Sequence, residues 1–428
     1  MTTPCLNVFF LLVGFFSPEL TGIGKYNGEM IQWFSEQGYD CTVITTYPFY
    51  PQWKLKEPYT NHLWYKKEIV KRRDAFDSLG SITVYRCPHY IAKNPTSKAR
   101  IFQDFTFFIS AFFQVFVLLF RQKHHFVIQV TPPLITGLLA ILYKKIRGSK
   151  FICHIQDLQV DAANNLKMVR SKKIIQILFA LEKKILKRAD NISSISFGMI
   201  CKIKSKINKP IILFPNWSDT TFFYPLPNKA FLKEEFGFKK ENSIVLYSGA
   251  IGEKQGIESI LHTAKTLESI SDLRFIICAN GPYHKKLEEE SKKMQLKNVV
   301  FLPLQPLEKF NRFLNMTDIH LVIQKNNAAD LVMPSKLTNI LAVGGISIVT
   351  ANPGTTLYEL LKQHQMGILV EAEHQEALNN AVRNALQIRP EECAKNARLY
   401  AEKNLGINHV LKNFLIDSAI DSAGVPIL

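Results

Sequence analysis

Short apolar runs and amphipathic stretches alternate along the whole of this 428-residue chain. The apolar runs have the length and composition of buried strands, and stretches such as Lys172–Arg188 repeat their apolar residues at helical spacing. The predicted strands span residues 7–13, 41–46, 82–86, 126–130, 151–155 and 192–195, and then 244–248, 274–278, 299–302, 319–323, 346–350 and 367–370. This alternation predicts an α/β fold with parallel sheets that carry helices on both faces.

The two series of strands predict two doubly wound domains that face each other across a cleft. Between them, in residues 211–230, Pro215, Pro225 and Pro227 interrupt both periodicities. We therefore predict an N-terminal domain over residues 1–215 and a second domain over residues 216–405. Residues 406–428 are predicted to form a C-terminal helix that packs back across the domain interface.

Charge is distributed unevenly between the two halves. Residues 1–220 hold 30 Lys and Arg against 14 Asp and Glu, a net charge of +16, whereas residues 221–428 carry only +1 of the total of +17. A basic first domain predicts an anionic partner, and phospholipid and nucleic acid both fit. The seven cysteines are scattered and form no C-x-x-C pair, which is typical of a reducing compartment and of a chain without disulfides or a zinc site.

One segment, residues 101–120, is long and apolar enough to cross a bilayer. Asp104 interrupts it, and Thr106, Ser110 and Gln114 recur every four residues as a polar stripe along one side of a helix. Three interpretations are open: a buried helix of the first domain, a helix that lies in the membrane interface, and a spanning helix.

Candidate ligand-binding residues follow the predicted strands, because open α/β sheets bind ligands beyond the carboxyl ends of their strands. After the first strand, Gly22 and Gly24 let the backbone approach a ligand at a helix start, where N–H groups can meet a phosphate. A tight turn that needs positive φ explains these glycines equally well. His154 closes the strand at 151–155 and Asp157 follows it, although a histidine in such a place is more often structural than catalytic.

Two further groups of candidates lie in the second half of the chain. Gly249 and Lys254 occupy a glycine-rich turn between a strand and a helix, which fits a phosphate cradle. The densest polar group lies between the strand at 319–323 and the middle of the next helix, and it consists of Lys325, Asp330, Ser335, Lys336 and Asn339. Ser335 and Lys336 stand in the first turn of that helix, where unpaired N–H groups favour an anion.

The chain lacks the sequence motifs of several enzyme classes. It has no D-x-D motif, no His/Cys cluster with metal-ligand spacing, no GKS or GKT loop and no G-x-S-x-G elbow. Metal-dependent phosphoryl transfer and serine hydrolysis therefore lose support. The remaining interpretation is a diphosphate-containing ligand held without a metal.

The chain contains, in this order, SPELTGIGKY, YPQW, HIQD with VDA, FPNWSD, YSGAIGEKQGIE and QKNNAADLVMPSKLTNILAVGG. In sequence and spacing these stretches resemble bacterial glycosyltransferases of family 4, of the colanic-acid fucosyltransferase and O-antigen N-acetyl-L-fucosamine transferase type. The resemblance covers the chain from the first strand to about residue 405. It implies a GT-B fold, in which two Rossmann-like domains hold an acceptor and a nucleotide sugar, and a retaining reaction without a metal.

The resemblance also implies roles for individual residues. The glycine-rich turn that faces the donor diphosphate comprises Gly22, Ile23 and Gly24. His154 would lie near the sugar and phosphate, and Asp330 would hold the donor sugar. Asn339 stands where the family has a second acidic residue, for the ribose, and it departs from the family pattern in identity and in spacing from Asp330. As an amide it can still hydrogen-bond a hydroxyl, without the strength of a charge.

A second departure concerns the charge around the diphosphate. The glycine–arginine turn of the family and the lysine that follows it would fall near Ala250 and Gln255, which are both neutral. The diphosphate must then take positive charge from Lys254, Lys325 and Lys336.

These expectations describe a hexosyltransferase that moves fucose or N-acetyl-L-fucosamine from a UDP- or GDP-linked donor, without a metal or other cofactor. The expected acceptor is a polyprenyl-diphosphate-linked saccharide of O-antigen, capsule or exopolysaccharide synthesis. Asp157, Tyr50 and Trp53 are expected on the acceptor side, and a packed Pro-aromatic loop is an equal alternative for Tyr50 and Trp53.

The basic first domain predicts peripheral attachment to the anionic inner face of the cytoplasmic membrane, without a nucleic-acid partner. A nucleotide-sugar epimerase of the same architecture is one alternative, and it would need no lipid-linked acceptor. A non-enzymatic, basic membrane-binding protein is the other.

Overall fold

The computed structural model describes residues 8–19, 22–50, 52–71, 79–92, 96–121, 123–165, 169, 171–251, 255–280, 283–326 and 334–418. The chain divides into two compact units. The first extends to Pro215 and includes the residues from Leu411 onward, and the second is Asn216–Val410.

The first unit is built on a sheet with the order β3-β4-β2-β1-β5-β6-β7-β8. Its strands are β1 (Val8–Leu12), β2 (Asp40–Thr46), β3 (Lys66–Lys71), β4 (Ile82–Cys87), β5 (Phe126–Thr131), β6 (Lys150–Ile155), β7 (Asn191–Ser194) and β8 (Ile212–Leu213). The helices are α1 (Ile23–Glu36), α2 (Ser97–Leu118), α3 (Gly137–Arg147), α4 (Gln159–Asn165), α5 (Lys172–Arg188) and α6 (Phe197–Lys204), with a 3-10 turn at Leu134–Thr136.

The second unit is built on a parallel sheet with the order β11-β10-β9-β12-β13-β14. Its strands are β9 (Ser243–Ala250), β10 (Leu273–Asn280), β11 (Val299–Leu302), β12 (Ile319–Val322), β13 (Ser347–Thr350) and β14 (Ile368–Val370). The helices are α7 (Lys229–Glu235), α8 (Glu258–Thr266), α9 (His284–Lys293), α10 (Leu307–Asn315), α11 (Lys336–Ala342), α12 (Thr356–His364), α13 (Gln375–Ile388) and α14 (Glu391–Asn404). The last helix, α15 (Ile407–Asp417), begins in this unit and continues in the first.

Each sheet has apolar layers on both faces, as β9 illustrates. Ile244 and Leu246 pack into one buried cluster, while Val245 and Tyr247 pack into the cluster on the opposite face. Because successive side chains of a strand point to opposite faces, a strand covered on both sides reads as a continuous apolar run. The prediction of two parallel-sheet α/β domains is confirmed.

The main departure from the predicted strands is β3, which pairs with β4 in antiparallel orientation at the edge of the first sheet. Its sequence, KKEIVK, is mostly charged, so it has no apolar run to reveal it. Charged side chains are usual on an edge strand, where they discourage pairing with another chain.

The last helix, α15, ends within the first unit. The ring of Phe414 stacks on Phe214 at a centroid distance of 4.0 Å and an interplanar angle of 14°. The predicted C-terminal helix thus corresponds to Ile407–Asp417, and residues 419–428 lie outside the described part of the chain.

Candidate active site

The strand order of each sheet reverses at one place, and loops leave the two flanking strands in opposite directions there. The reversal lies between β1 and β5 in the first unit and between β9 and β12 in the second. β9 continues to Ala250, but β12 pairs with it only through Val245 and Leu246. The carboxyl ends of β9 and β12 therefore separate and leave a crevice, which is where open α/β sheets bind ligands.

The ammonium group of Lys336 occupies this crevice. Its Nζ lies 3.4 Å from the centroid of the Tyr247 ring, and a Cβ added to Gly249 would lie 3.1 Å from the same atom. Nζ is buried and has no hydrogen-bond partner among the described residues. Burial lowers the pKa of Lys336 to about 7, because a desolvated ammonium is less stable than the neutral amine.

Lys336 is held there by the anchoring of its helix, α11. The guanidinium of Arg398, on α14, donates to the carbonyl oxygen of Ala342 at the end of α11 (2.6 Å) and to that of Phe223 (2.8 Å). In the middle of α11, Ser218 donates to Oδ1 of Asn339 at 2.8 Å. α11 is therefore anchored at its middle and at its end, and the position of Lys336 is imposed by the fold.

The structure gives Ser335 and Asn339 limited parts in this site. Ser335 precedes α11, is exposed, and makes no side-chain hydrogen bond that caps the helix. Since α11 has only seven residues, the positive charge of the site comes mainly from Lys336. Asn339 uses Oδ1 on Ser218, which leaves its amide N–H groups for a hydroxyl.

Lys325 follows β12 and lies beside the glycine-rich turn after β9. A Cβ added to Gly256, which has a φ of +64°, would lie 3.2 Å from Cγ of Lys325. Both residues line a cavity of about 260 Å³ at the carboxyl ends of β12, β13 and β14, together with Gln255, Glu258, Glu371 and Glu373. Because three carboxylates line this cavity, it suits hydroxyl groups better than a diphosphate.

Two predicted site residues, Asp330 and Lys254, lie outside the described residues. Gly249 is described and has a φ of +137°, and its missing Cβ is what leaves room for Lys336. The structure therefore brings Gly249 and Lys336 together in one crevice, and places Lys325 against Gly256.

In the first unit the turn after β1 is built around Glu19, a residue that was not singled out from the sequence. Glu19 is buried, and its Oε1 accepts from the backbone N–H groups of Phe49 (3.1 Å) and Tyr50 (2.9 Å). Its Oε2 has no partner in the described part of the chain, and it lies 2.7 Å from the position of a Cβ added to Gly24. Burial raises the pKa of Glu19 to about 7, so the group titrates near neutral pH.

The glycines of this turn meet the needs of the backbone. Gly22 has a φ of +62° and precedes Ile23, the first residue of α1. A Cβ on Gly22 would lie 3.9 Å from the Tyr50 ring, whereas a Cβ on the buried Gly24 would meet Glu19. Both interpretations of the glycines, a tight turn and a ligand-facing turn, fit this geometry.

His154 is buried in β6, and its neighbours are structural. Its Nδ1 lies 3.0 Å from the hydroxyl of Ser193, and its ring packs on Phe214 at 4.8 Å. Burial lowers the pKa of His154 to about 3, so the ring is neutral at physiological pH. Its Nε2 is buried without a partner among the described residues, and a neutral imidazole nitrogen of this kind can hydrogen-bond a sugar hydroxyl.

The three residues expected on the acceptor side differ in their surroundings. Asp157 lies in the turn between β6 and α4, where its carbonyl oxygen accepts from the N–H of Gln159. Trp53 packs edge-on against Tyr50 at 6.2 Å and lies under the guanidinium of Arg100 at 4.9 Å. Tyr50 and Trp53 therefore belong to a packed aromatic loop whose outer part is partly exposed.

Neither a metal-ligand cluster nor the contact partner of Lys336 could be read from the sequence. The described residues hold no group of three His, Cys, Asp or Glu side chains with the geometry of a metal site. Tyr247, which lies under Lys336, was also not predicted from the sequence, because only the fold brings residues 247 and 336 together. For Glu19 a signal existed, since a carboxylate next to a glycine-rich turn in an apolar loop needs partners for its oxygens.

Comparison with known proteins agrees with this architecture. Residues 228–403 match the family model described as glycosyl transferases group 1. The chain is 38% identical, over 94% of its length and 97% of the relative, to WcaI of Escherichia coli K12, a putative colanic acid biosynthesis glycosyl transferase.

Solved structures with the same fold include several glycosyltransferases. Sucrose-phosphate synthase of Thermosynechococcus elongatus aligns with a TM-score of 0.72 and 14% identity over 95% of this chain and 97% of that one. Anabaena HepE in complex with UDP-glucose aligns with a TM-score of 0.67 and 11% identity over 96% and 99%. WaaG, a glycosyltransferase of lipopolysaccharide biosynthesis, aligns with a TM-score of 0.65 and 14% identity over 95% and 99%. The expected GT-B fold is confirmed, and the chain belongs to the group 1 glycosyl transferases.

Proposed function

We propose that the protein is a retaining hexosyltransferase of family 4 in the synthesis of a bacterial surface polysaccharide such as colanic acid or O-antigen. It would move fucose or N-acetyl-L-fucosamine from a UDP- or GDP-linked donor to a polyprenyl-diphosphate-linked saccharide. The relationship to WcaI over almost the whole of both chains supports the class of pathway.

The observation that carries the proposal is the buried ammonium of Lys336. Among the described residues this ammonium has the ring of Tyr247 beside it and no hydrogen-bond partner, and a buried ammonium in such surroundings is costly to keep in the charged form. A diphosphate that enters the crevice between β9 and β12 would restore the missing counter-charge. Lys325, beside Gly256, is the second described lysine near this crevice.

In the proposed reaction the bond between the anomeric carbon and the diphosphate oxygen breaks, and negative charge develops on the leaving diphosphate. Lys336 would stabilise that charge, and Lys325, whose side chain lines the neighbouring cavity, could reach the diphosphate from its edge. The acceptor hydroxyl attacks the anomeric carbon from the face that the diphosphate leaves, and its proton passes to a diphosphate oxygen. The configuration of the sugar is thereby retained, without a metal.

Asp330 is the proposed contact of the donor sugar, and it would stabilise positive charge that develops on the sugar ring. His154, in the first unit, would offer its neutral Nε2 to a sugar hydroxyl. Asp330→Asn should therefore lower kcat much more than the affinity for the free nucleoside diphosphate, because that interaction strengthens in the transition state. An equal loss of nucleotide affinity would assign Asp330 to nucleotide binding instead.

A thermal-shift panel of UDP- and GDP-linked sugars tests the proposal and identifies the donor. A ligand present at 100 times its Kd stabilises a protein by about 2.7 kcal/mol, so the true donor should stand out from the others. Consumption of the nucleotide sugar without release of nucleoside diphosphate would indicate an epimerase. No stabilisation by any nucleotide sugar, UDP or GDP would contradict the proposed site.

A further inference from the structure

The helix α2 is apolar on both sides, because it buries Phe107, Ala111 and Val115 and also exposes large apolar side chains. Its polar side chains face the first unit: Oε1 of Gln103 accepts from the N–H of Ala92 at 3.3 Å, and Asp104 accepts from the amide of Gln159 at 2.9 Å. Thr106 accepts from the N–H of Tyr90 at 3.0 Å. The polar stripe seen in the sequence is therefore the side that attaches α2 to the domain.

The other side of α2 is apolar and open. Nine large apolar side chains in the described stretch from Ile101 to Phe120 are between 38% and 76% exposed, Phe105, Phe112 and Phe116 among them. A continuous apolar surface of this kind on one helix face marks an interaction site. The interpretation of the segment as an ordinary buried helix is therefore wrong for this side.

The segment Lys98–Leu118 has a mean hydropathy of 1.7, enough by length and composition to cross a membrane, and 33% of its most apolar stretch is buried. Crossing would pull Gln103 and Asp104 away from Ala92 and Gln159 and leave them in hydrocarbon, which is unfavourable. Since the inward side is tied to the domain by hydrogen bonds, the outward side alone is free to meet lipid.

The charges around the apolar face fit an anionic surface. Lys98 and Arg100 lie at the start of α2, and Arg121 and Lys123 follow its end, and all four are exposed. Asp104 is the one acidic residue in the sequence of α2, and it faces the domain. Basic residues near an anionic membrane contribute about 1 kcal/mol each.

A neighbouring loop extends the surface. Leu63 is 84% exposed and Trp64 is 75% exposed. The hydroxyl of Tyr65, the next residue, donates to the carbonyl oxygen of Ser110 on α2 at 2.9 Å. Tryptophan is enriched at membrane–water interfaces, so this loop and α2 together form one lipid-facing surface.

We propose that α2 lies flat in the headgroup region of an anionic bilayer, with its exposed phenylalanines inserted and the Leu63–Trp64 loop beside it. A second copy of this chain is a poorer occupant, because pairing two such faces would bring two halves of net charge +16 together. The proposal does not depend on the donor sugar, and it would hold for any acceptor carried in that membrane.

Vesicle sedimentation with a matched pair of variants tests the surface. The triple variant Phe105→Ser, Phe112→Ser and Phe116→Ser should bind vesicles of phosphatidylcholine with about 30% phosphatidylglycerol at least 10-fold more weakly than wild type. The control variant Phe231→Ser with Ile388→Ser changes side chains that are 62% and 75% exposed elsewhere, and it should bind as wild type does. Wild type should bind pure phosphatidylcholine more weakly and should detach from anionic vesicles in alkaline carbonate.

Three results would overturn the proposal: failure of wild type to bind the anionic vesicles, equal binding by the triple variant, or a wild-type dimer that the triple variant alone disrupts. Stabilisation by UDP or GDP, measured on the same variants, should be unchanged. That readout shows that the triple variant is folded and keeps the test separate from the proposed transferase activity.

The depth of spin labels distinguishes a flat helix from a spanning one. Labels at Phe102, Ile109 and Phe120, placed one at a time after replacement of Cys5, Cys201 and Cys393 by serine, should lie at similar shallow depths in the bilayer. A label at 109 that lies much deeper than those at 102 and 120 would indicate a spanning helix and contradict the proposal.

Discussion

Replacement of Lys336 by methionine removes the buried ammonium and keeps a side chain of similar length. Burial lowers the pKa of Lys336 from 10.5 to about 7, which corresponds to about 5 kcal/mol at 1.36 kcal/mol per pKa unit. The cation–π contact with the Tyr247 ring stabilises the charged form of Lys336 by about 2 kcal/mol. The net cost of the charged lysine in the unliganded protein is therefore about 3 kcal/mol.

The sign of the pH dependence follows from the lowered pKa. Between pH 7 and pH 10.5 the unfolded state binds the Lys336 proton and the folded state does not, so the stability of wild type rises with pH in that window. Without ligand, Lys336→Met should be more stable than wild type by about 3 kcal/mol below pH 7. The difference should shrink as the pH rises, and denaturant unfolding at several pH values measures it.

Binding of a nucleoside diphosphate should favour the charged form of Lys336, which is unfavourable in the empty site. A bound diphosphate raises the pKa of Lys336, so wild type should take up protons as the ligand binds near pH 8 and Lys336→Met should take up none. The variant should bind UDP or GDP more weakly by about 1.5–3 kcal/mol, the contribution of a charge-assisted hydrogen bond.

Isothermal titration calorimetry in two buffers of different ionisation enthalpy measures both the affinity and the proton uptake. Lys265→Met, which removes an exposed lysine of α8, is the control and should behave as wild type. Equal affinity in Lys336→Met, or no proton uptake by wild type, would refute the assignment of the crevice to a diphosphate.

Three further predictions concern the surroundings of the two candidate sites. Gly249→Ala would place a Cβ 3.1 Å from Nζ of Lys336, so it should reduce thermal stabilisation by UDP or GDP. The control Gly237→Ala is also at positive φ but has no atom within 4 Å of the added Cβ, and it should not reduce that stabilisation. Similar losses in both variants would show that backbone strain causes the effect. Because the pKa of Glu19 is raised from 4.5 to about 7, wild type should lose about 3 kcal/mol of stability relative to Glu19→Gln as the pH rises from 4.5 to above 7. Urea unfolding at both ends of that range measures the difference between the two proteins. A difference that does not change with pH would contradict the burial of this carboxylate. Arg398→Met removes the hydrogen bonds to the carbonyl oxygens of Ala342, Phe223 and Thr220, and it should lower the free energy of unfolding by about 3 kcal/mol together with the affinity for UDP or GDP. A stable variant with normal affinity would show that α11 does not need this anchor.

Most of the fold could be predicted because a strand covered on both faces and an amphipathic helix leave distinct apolar patterns. Lys172–Arg188 was predicted with the bounds that α5 has in the structure. β3 left no such pattern, since its edge position lets charged residues replace apolar ones. Hydrophobic periodicity thus reveals elements that are buried and misses those that are not.

The candidate site could be predicted in part. The sequence pointed to Lys336 because it placed a lysine at a helix start, but the contact with Tyr247 depends on how far β9 and β12 separate, which local sequence does not specify. Glu19 was not predicted at all, because its burial depends on backbone groups of the distant loop at Phe49 and Tyr50. In α2 the polar stripe was recognised, but which side faces the domain depends on partners such as Gln159.

Our central proposal is that the protein transfers a sugar, with retention and without a metal, from a UDP- or GDP-linked donor to a lipid-linked acceptor. The direct measurement incubates the protein with the donor from the thermal-shift panel and a polyprenyl-diphosphate-linked saccharide in EDTA, and then determines the product by mass spectrometry and its anomeric configuration by proton NMR. We predict an acceptor enlarged by one sugar that keeps the anomeric configuration of the donor, with one nucleoside diphosphate released per transfer. An inverted product, or transfer that EDTA abolishes and a divalent cation restores, would contradict it.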